Sequence, residues 1–444
     1  MPSTQSSVAD RHASIPPSES AGWRWAPAWV LTYVALWPAP GYAEAVLVLG
    51  ALVAIFKLVT SRFSGGAQLL SNHAWALTSV LFCAYWVPEV VSAVDSIDHV
   101  RALKEAAVDL RYLPFLWLAA SAVANERGRR ITFVGLAIIL GVWTLDALVQ
   151  AGTGTSLLFS GMDAAKLVLS HKHMCTPEDM ECANRLTGVF GPCNCKLGQV
   201  AASLSPFALY AAAKRFGRVG WLVAAALIGV AIVLIGSRGS WVTYAVVLAL
   251  SGWSLLGWKR LAAVFAFGGA ALLVLTLASP QVRERVERTT MVLTGEQGDV
   301  DAALSGRSRI WGAALCMVRE HPVNGVGAQA FDKAFSACDP GRGHVAAWGN
   351  EPAHHAHQIV LEILSETGGF GLLLWLAGVA LAWRAWRFAD ETAREDARPA
   401  MLALAATVFP FNTHLAFYST FWGGITLLLA ALYAGSLLSR DARG

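Results

Sequence analysis

The chain has 444 residues, of which 55% are hydrophobic and only 14% charged, and its formal net charge is +4. With a mean hydropathy of +0.50 it carries more apolar surface than a soluble domain of this length can hide. No basic cluster interleaves with aromatic residues, so nucleic acid is not an expected partner.

The first twenty residues are polar and rich in Ser and Pro. They lack a short apolar core followed by a small-residue cleavage site, so residues 1–24 are expected to form a disordered cytoplasmic tail instead of a signal peptide. Apolar stretches then recur along almost the whole chain, near 25–38, 42–58, 70–93, 107–124, 131–150, 197–213, 218–235, 240–257, 260–279, 356–383, 399–415 and 418–438. Backbone amides in hydrocarbon need internal partners, so these segments predict an all-α polytopic membrane protein of about twelve transmembrane helices. With the N-terminus inside, the cytoplasmic loops hold Lys57–Arg62, Arg127, Arg129, Arg130, Lys214, Arg215, Arg218, Lys259, Arg260, Arg384, Arg387, Arg394 and Arg398. The short loops opposite hold only Arg101, Lys104 and Arg238, an asymmetry that fits the positive-inside rule.

Two long segments then face outward: residues 151–196 and a large, partly helical loop at 279–354. Residues 25–278 thus make helices one to nine, 355–438 helices ten to twelve, and 439–444 a cytoplasmic tail. Within the large loop, Ser308–Arg319 has the apolar spacing of an amphipathic helix, stopped at His321-Pro322, and Asn324–Gly327 reads as a turn. Six of seven cysteines fall in the outward segments, which predicts disulfides, with Cys316 and Cys338 the natural pair in the large loop. The connectivity of Cys175, Cys182, Cys193 and Cys195 stays open, and Cys83 lies inside a span. A zinc site using His171, His173 and Cys175 is the rival reading, although separated C-x-x-C pairs are missing.

Three groups of residues carry chemistry. Arg238, between glycines in the tight outward loop Gly236–Ser240, stands where the charge rule disfavours a cation, and a guanidinium grips phosphate through paired hydrogen bonds. The blander alternative is a snorkelling anchor. Arg307 and Arg309 precede the loop helix; taken alone, they read as solvated charges. His354, His355 and His357 mark the return of the loop to the membrane, where a neutral imidazole can act as a general base. A metal site or a polar cap for the tenth span are the alternatives.

His357-Gln358 followed by Gly368-Gly-Phe-Gly371 resembles the signature of the O-antigen ligase and polymerase superfamily. Gly236-Ser-Arg238, Gly306-Arg307 with Ile310-Trp311, and His321–Gly327 resemble its other blocks in the same order. The resemblance covers roughly residues 234–374. It implies a GT-C-type glycosyltransferase in the bacterial inner membrane with its active site on the periplasmic face. His357 takes the place of the essential histidine, Arg238 that of an essential arginine, and Arg307, or the neighbouring Arg309, that of a second; Gly368 and Gly371 belong to the structural motif. The implied partners are an undecaprenyl-pyrophosphate-linked polysaccharide, the lipid A–core acceptor and membrane lipid. Neither a cofactor nor a metal is implied: fixed arginines are the simpler counter-charge for a departing pyrophosphate. The rivals are an O-antigen polymerase, a protein O-oligosaccharyltransferase and, from another class, a secondary transporter. A transporter would place its charges near the midplane of repeated halves, and no repeat is visible here.

Overall fold

The computed structural model describes residues 23–63, 70–176, 178, 180, 182, 185–278, 283, 286, 287, 306–341, 348, 352–410, 412 and 416–438. The regular elements among them are helical. In chain order the α-helices are α1 Ala26–Ala35, α2 Pro40–Phe63, α3 Asn72–Val94, α4 His99–Asp109 and α5 Tyr112–Ser121. Next come α6 Glu126–Thr153, α7 Leu157–Ser170, α8 Leu197–Ile235, α9 Arg238–Leu256 and α10 Trp258–Ala278. The large loop contributes α11 Arg307–Glu320 and α12 Phe331–Cys338, and the chain ends with α13 Ile359–Phe388, α14 Glu391–Thr407 and α15 Thr420–Leu437. Residues 1–22 of the expected N-terminal tail, residues 288–305 and the C-terminal tail lie outside the described residues.

Eight of these helices (α2, α3, α6, α8, α9, α10, α13 and α15) are long and apolar enough to cross a bilayer, against the twelve that apolar runs alone suggest. The other expected segments fall on α1, α5, α14 and one arm of α8. Helices α1 and α5 have ten residues each, a rise of about 15 Å against a hydrocarbon core near 30 Å. Helix α14 opens with Glu391, Arg394, Glu395, Asp396 and Arg398, so only its later turns are apolar. The 39 residues of α8 are two arms joined at Gly217, whose φ of 62° and ψ of −148° break the helix. A Cβ at Gly220 would collide with the carbonyl oxygen of Ala212, a residue about 12 Å away in an unbroken helix. The chain therefore doubles back at Gly217, a conformation that glycine adopts without steric cost.

Helix α15 is buried over almost its whole length and forms the centre of the bundle, while α10 turns nearly all its surface outward. Apolar side chains gain little by leaving lipid for protein, so close backbone approach and dispersion hold such helices together. Gly435 of α15 supplies one such approach, because a Cβ there would strike the backbone of Ala120 on α5. Contacts between loops sort into two ends. At one end Arg129 pairs with Asp396 at 2.6 Å and Ser71 donates to the Leu438 carbonyl at 2.8 Å. At the other, Arg111 pairs with Glu44 at 2.5 Å and Arg101 with Asp332 at 3.1 Å. These are the groupings that the distribution of basic residues predicts.

Candidate functional site

The site rests on a break in α13. At Gly368 the backbone adopts φ 67° and ψ −167°, which releases carbonyls on one side of the break and amides on the other. The segment 322–327 satisfies them. Val326 N–H donates to Ser365 O at 2.8 Å and Gly327 N–H to Glu366 O at 2.9 Å. In return Gly369 N–H donates to Pro322 O at 2.8 Å and Phe370 N–H to Val323 O at 3.1 Å. Two blocks seen separately in the sequence, His321–Gly327 and Gly368–Gly371, are thus hydrogen-bond partners. Their contact leaves no room for side chains: a Cβ at Gly325 would meet the Glu366 backbone, and one at Gly368 the Val323 carbonyl. The turn is also fastened to the end of α3, through Ile97 N–H to Val326 O at 3.0 Å and Asn324 Nδ2 to Asp95 Oδ2 at 3.1 Å.

Sequence reasoning assigned no role to Glu362 and Glu366, one and two turns into α13. Both are buried. Glu366 Oε2 accepts from Gln329 N–H at 2.8 Å and Glu362 Oε1 from Tyr418 N–H at 3.4 Å, while Tyr418 and Thr367 share a hydroxyl hydrogen bond of 2.9 Å. These groups hold the loop before α12 and the start of α15 against the lower part of the site.

The histidines form the turn just above. His357 has φ 53°, a left-handed conformation uncommon outside glycine though histidine is among the residues that tolerate it. Gln358 then caps α13, its Oε1 accepting from Leu361 N–H at 2.6 Å. The rings of His355 and His357 lie 3.9 Å apart between centroids. Trp311 of α11 donates Nε1–H to the carbonyl of Ala356, between them, at 3.1 Å. The Ile310-Trp311 block therefore pins the histidine turn. Ile310, Ala313, Ala314 and Met317 of α11 share a small core with Phe331, Phe335, Ala353 and Ala356, which gives the large loop its own packing centre.

The arginines come from different elements. Arg238 is the first residue of α9, where Gly198 lets the start of α8 pack against Ser237 and Ser240. Arg307 is the first residue of α11. Burial pushes the Arg307 guanidinium down to about 10, and the charges of Arg238 and Arg185 push it further in the same direction. It stays cationic at neutral pH. His355 is pushed down to about 4, first by burial, then by His354 and Arg307, so that imidazole is neutral at working pH. The charge of Arg307 thus acts on His355, and that of Arg238 on Arg307. Arg309 differs: its fork makes a two-pronged pair with Asp339, at 2.7 Å from Nε and 2.6 Å from Nη2, and it leans on the Trp348 ring at 5.8 Å. That pairing tethers the segment after α12 to α11.

Disulfides brace the outer loops. Cys316–Cys338 joins α11 to α12 as expected, and the open connectivity of the first loop resolves to Cys175–Cys193 and Cys182–Cys195, with Cys83 free. Of the alternative zinc set, Cys175 is committed to a disulfide and His173 is hydrogen-bonded to Asp163 at 2.8 Å. Arg185, in this braced loop, is given no role by the sequence, and no motif surrounds it; its charge also acts on Arg307.

Residues 223–376 match the family model described as O-antigen ligase. That span runs from the second arm of α8 through Arg238, Arg307 and His357 to the broken helix α13. No curated protein matches the chain.

Proposed function

We propose, from the match of residues 223–376 to the O-antigen ligase family model, that the chain transfers O-antigen polysaccharide from undecaprenyl pyrophosphate to the lipid A–core oligosaccharide. The reaction takes place at the periplasmic face of the inner membrane. What supports this reading is the charge of Arg307 acting on His355, whose ring lies 3.9 Å from that of His357, with the charge of Arg238 acting on Arg307 in turn.

His357 accepts the proton of the acceptor sugar hydroxyl as that oxygen attacks the anomeric carbon of the donor. The new carbon–oxygen bond forms while the bond from the anomeric carbon to the pyrophosphate oxygen breaks, and the lipid pyrophosphate departs with the electron pair. One displacement inverts the anomeric centre. Charge growing on the leaving group is met by guanidiniums already fixed in place, which need no reorganisation during the reaction. Arg309, engaged with Asp339, supports the start of α11 and so keeps Arg307 in position.

The test is transfer by purified protein from a lipid-linked donor to a core acceptor, with and without EDTA. Activity that persists in EDTA supports the arginine mechanism; loss restored by a divalent cation overturns it. A polymerase is separated from a ligase by the lipopolysaccharide of a strain lacking the gene. Loss of the whole ladder with accumulation of lipid-linked polymer marks a ligase, and a core bearing one repeat unit marks a polymerase.

A further inference from the structure

The turn that carries Arg238 lacks the usual means of holding a helix start. Gly236 and Gly239 flank it, Gly236 in a left-handed conformation at φ 70°, and the N-cap residue Ser237 makes no side-chain capping hydrogen bond. Backbone bonds close the first turn of α9: Ser240 N–H and Trp241 N–H both donate to Ser237 O, at 3.0 and 3.2 Å. Further support comes from the start of α8, which packs against this turn. A Cβ at Gly198 would lie 2.9 Å from Ser240 Oγ and 3.5 Å from Ser237 Cβ, so the two segments meet where a glycine lets them.

Gln199 stands beside that contact and is only 2% exposed. A primary amide buried there needs partners for both of its ends. Its Oε1 accepts from Ser240 Oγ at 3.3 Å, and its Nε2 donates to Thr243 Oγ1 at 3.4 Å. Thr243 gives its own hydroxyl proton to Gly239 O at 3.0 Å, so its oxygen is left to accept from Gln199, which fixes the orientation of the amide. One side chain of α8 thus ties down two buried hydroxyls in the first turns of α9 and, through Thr243, the carbonyl of the residue next to Arg238. The base from which Gln199 reaches is anchored as well. Cys195, bridged to Cys182, precedes the N-cap residue Lys196, whose Nζ lies over the Phe421 ring at 4.2 Å.

We infer that Gln199 is a positioning residue for Arg238: it fixes the first turn of α9, so that the guanidinium meets the diphosphate of the lipid-linked donor already in place. The inference rests on the reading of Arg238 as a pyrophosphate-binding group and adds the residue that holds it. A guanidinium on a loose helix start has to be reordered as the leaving group gains charge, and a preorganised site avoids that reordering. Gln199 acts through α9, so its loss falls on the donor and not on the acceptor.

The experiment titrates inorganic pyrophosphate into the full-length purified protein by calorimetry and measures transfer kinetics in parallel. Gln199→Leu nearly keeps the side-chain volume and removes both hydrogen bonds. It should weaken pyrophosphate binding and lower donor kcat/KM on the order of tenfold, with acceptor KM unchanged. Thr243→Val, which exchanges only the hydroxyl for a methyl, should act in the same way and carries the test if Gln199→Leu fails to fold. Combining the two should add little, because both break one clamp. In an Arg238→Ala background Gln199→Leu should cost nothing further, since no guanidinium remains to be positioned. An undiminished loss in that background would show that Gln199 serves the fold alone and would overturn the inference. Wild-type binding and turnover in Gln199→Leu, with Arg238→Ala impaired, would overturn it too and leave the reading of Arg238 intact. Wild-type binding and turnover in Arg238→Ala would instead remove that underlying reading.

Discussion

His357 combines two properties seldom found together, a left-handed backbone and an imidazole facing a second imidazole. Replacing it with Ala should slow the chemical step on the order of 10²–10⁴-fold, with donor binding retained because the pyrophosphate is held elsewhere. His357→Asn refines the test, since Asn tolerates the left-handed backbone and removes the base without adding strain. Rapid-mix transfer kinetics beside pyrophosphate titrations measure both effects, and full activity in either variant would discard the base. For Arg238, substitution by Lys should rescue donor turnover poorly compared with wild type, because an ammonium lacks the planar fork. A KM and kcat near wild type in Arg238→Lys would leave only a point-charge role. His355 makes a pH prediction. Its folded value near 4 lies below the ~6.5 of a free imidazole, so the native state resists protonation. Its contribution to stability is complete above about pH 6.5 and is lost as the pH falls toward 4. Thermal melts at about pH 7.5 and pH 5 should therefore show a smaller acid loss in His355→Gln than in the wild type; equal losses would contradict the burial argument.

At the scale of elements, the contact between residues 322–327 and the broken helix α13 predicts an ordering of glycine variants. Gly325→Ala and Gly368→Ala combine positive φ with a backbone collision, and the left-handed strain alone costs about 1–3 kcal/mol. Gly269→Ala, in α10 with nothing near its would-be Cβ, should change stability by no more than ~0.5 kcal/mol. Melts of the three variants in one detergent decide this, and equal stability among them would mean that the contact yields to a methyl group. The same contact shows where sequence reasoning stops. The turn at Asn324–Gly327 and the glycines near 368 are both legible as breaks, because glycine marks departures from helix. That each supplies the other's missing hydrogen bonds is not legible, since the bonds run from backbone to backbone and impose no side-chain pattern. Hydropathy likewise found both arms of α8, because each is an apolar run. It also marked α1, α5 and α14, which are too short, or too charged at one end, to count as spans by helix length and composition.

For the whole molecule, the distribution of arginines along the chain foretold which loops meet. Arg129 and Asp396, expected on one side, form an ion pair, and the loops expected opposite hold the histidine turn and every disulfide found among the described residues. In a Cys83→Ala background, a cysteine placed at Lys172 should react with an impermeant maleimide in intact cells. Cysteines at Arg127 or Glu395 should react only after permeabilisation. Labelling of Arg127 and Lys172 from the same side would break the topology and the mechanism with it. What the charge pattern could not convey is how the first loop is cross-linked and docked.

The cross-links also decide how the molecule yields to force. Tension applied between the termini travels through Cys175–Cys193 and Cys316–Cys338 and bypasses the eighteen and twenty-two residue steps that separate their ends in sequence. Cys182–Cys195 shortens that route no further, since one of its ends already lies inside the first bridge. At about 3.5 Å per extended residue, reduction should lengthen the fully unravelled chain by roughly 140 Å. In the oxidised protein, a pull that extracts the spanning helices one after another would leave the segments at the active face as two closed loops carrying none of the load.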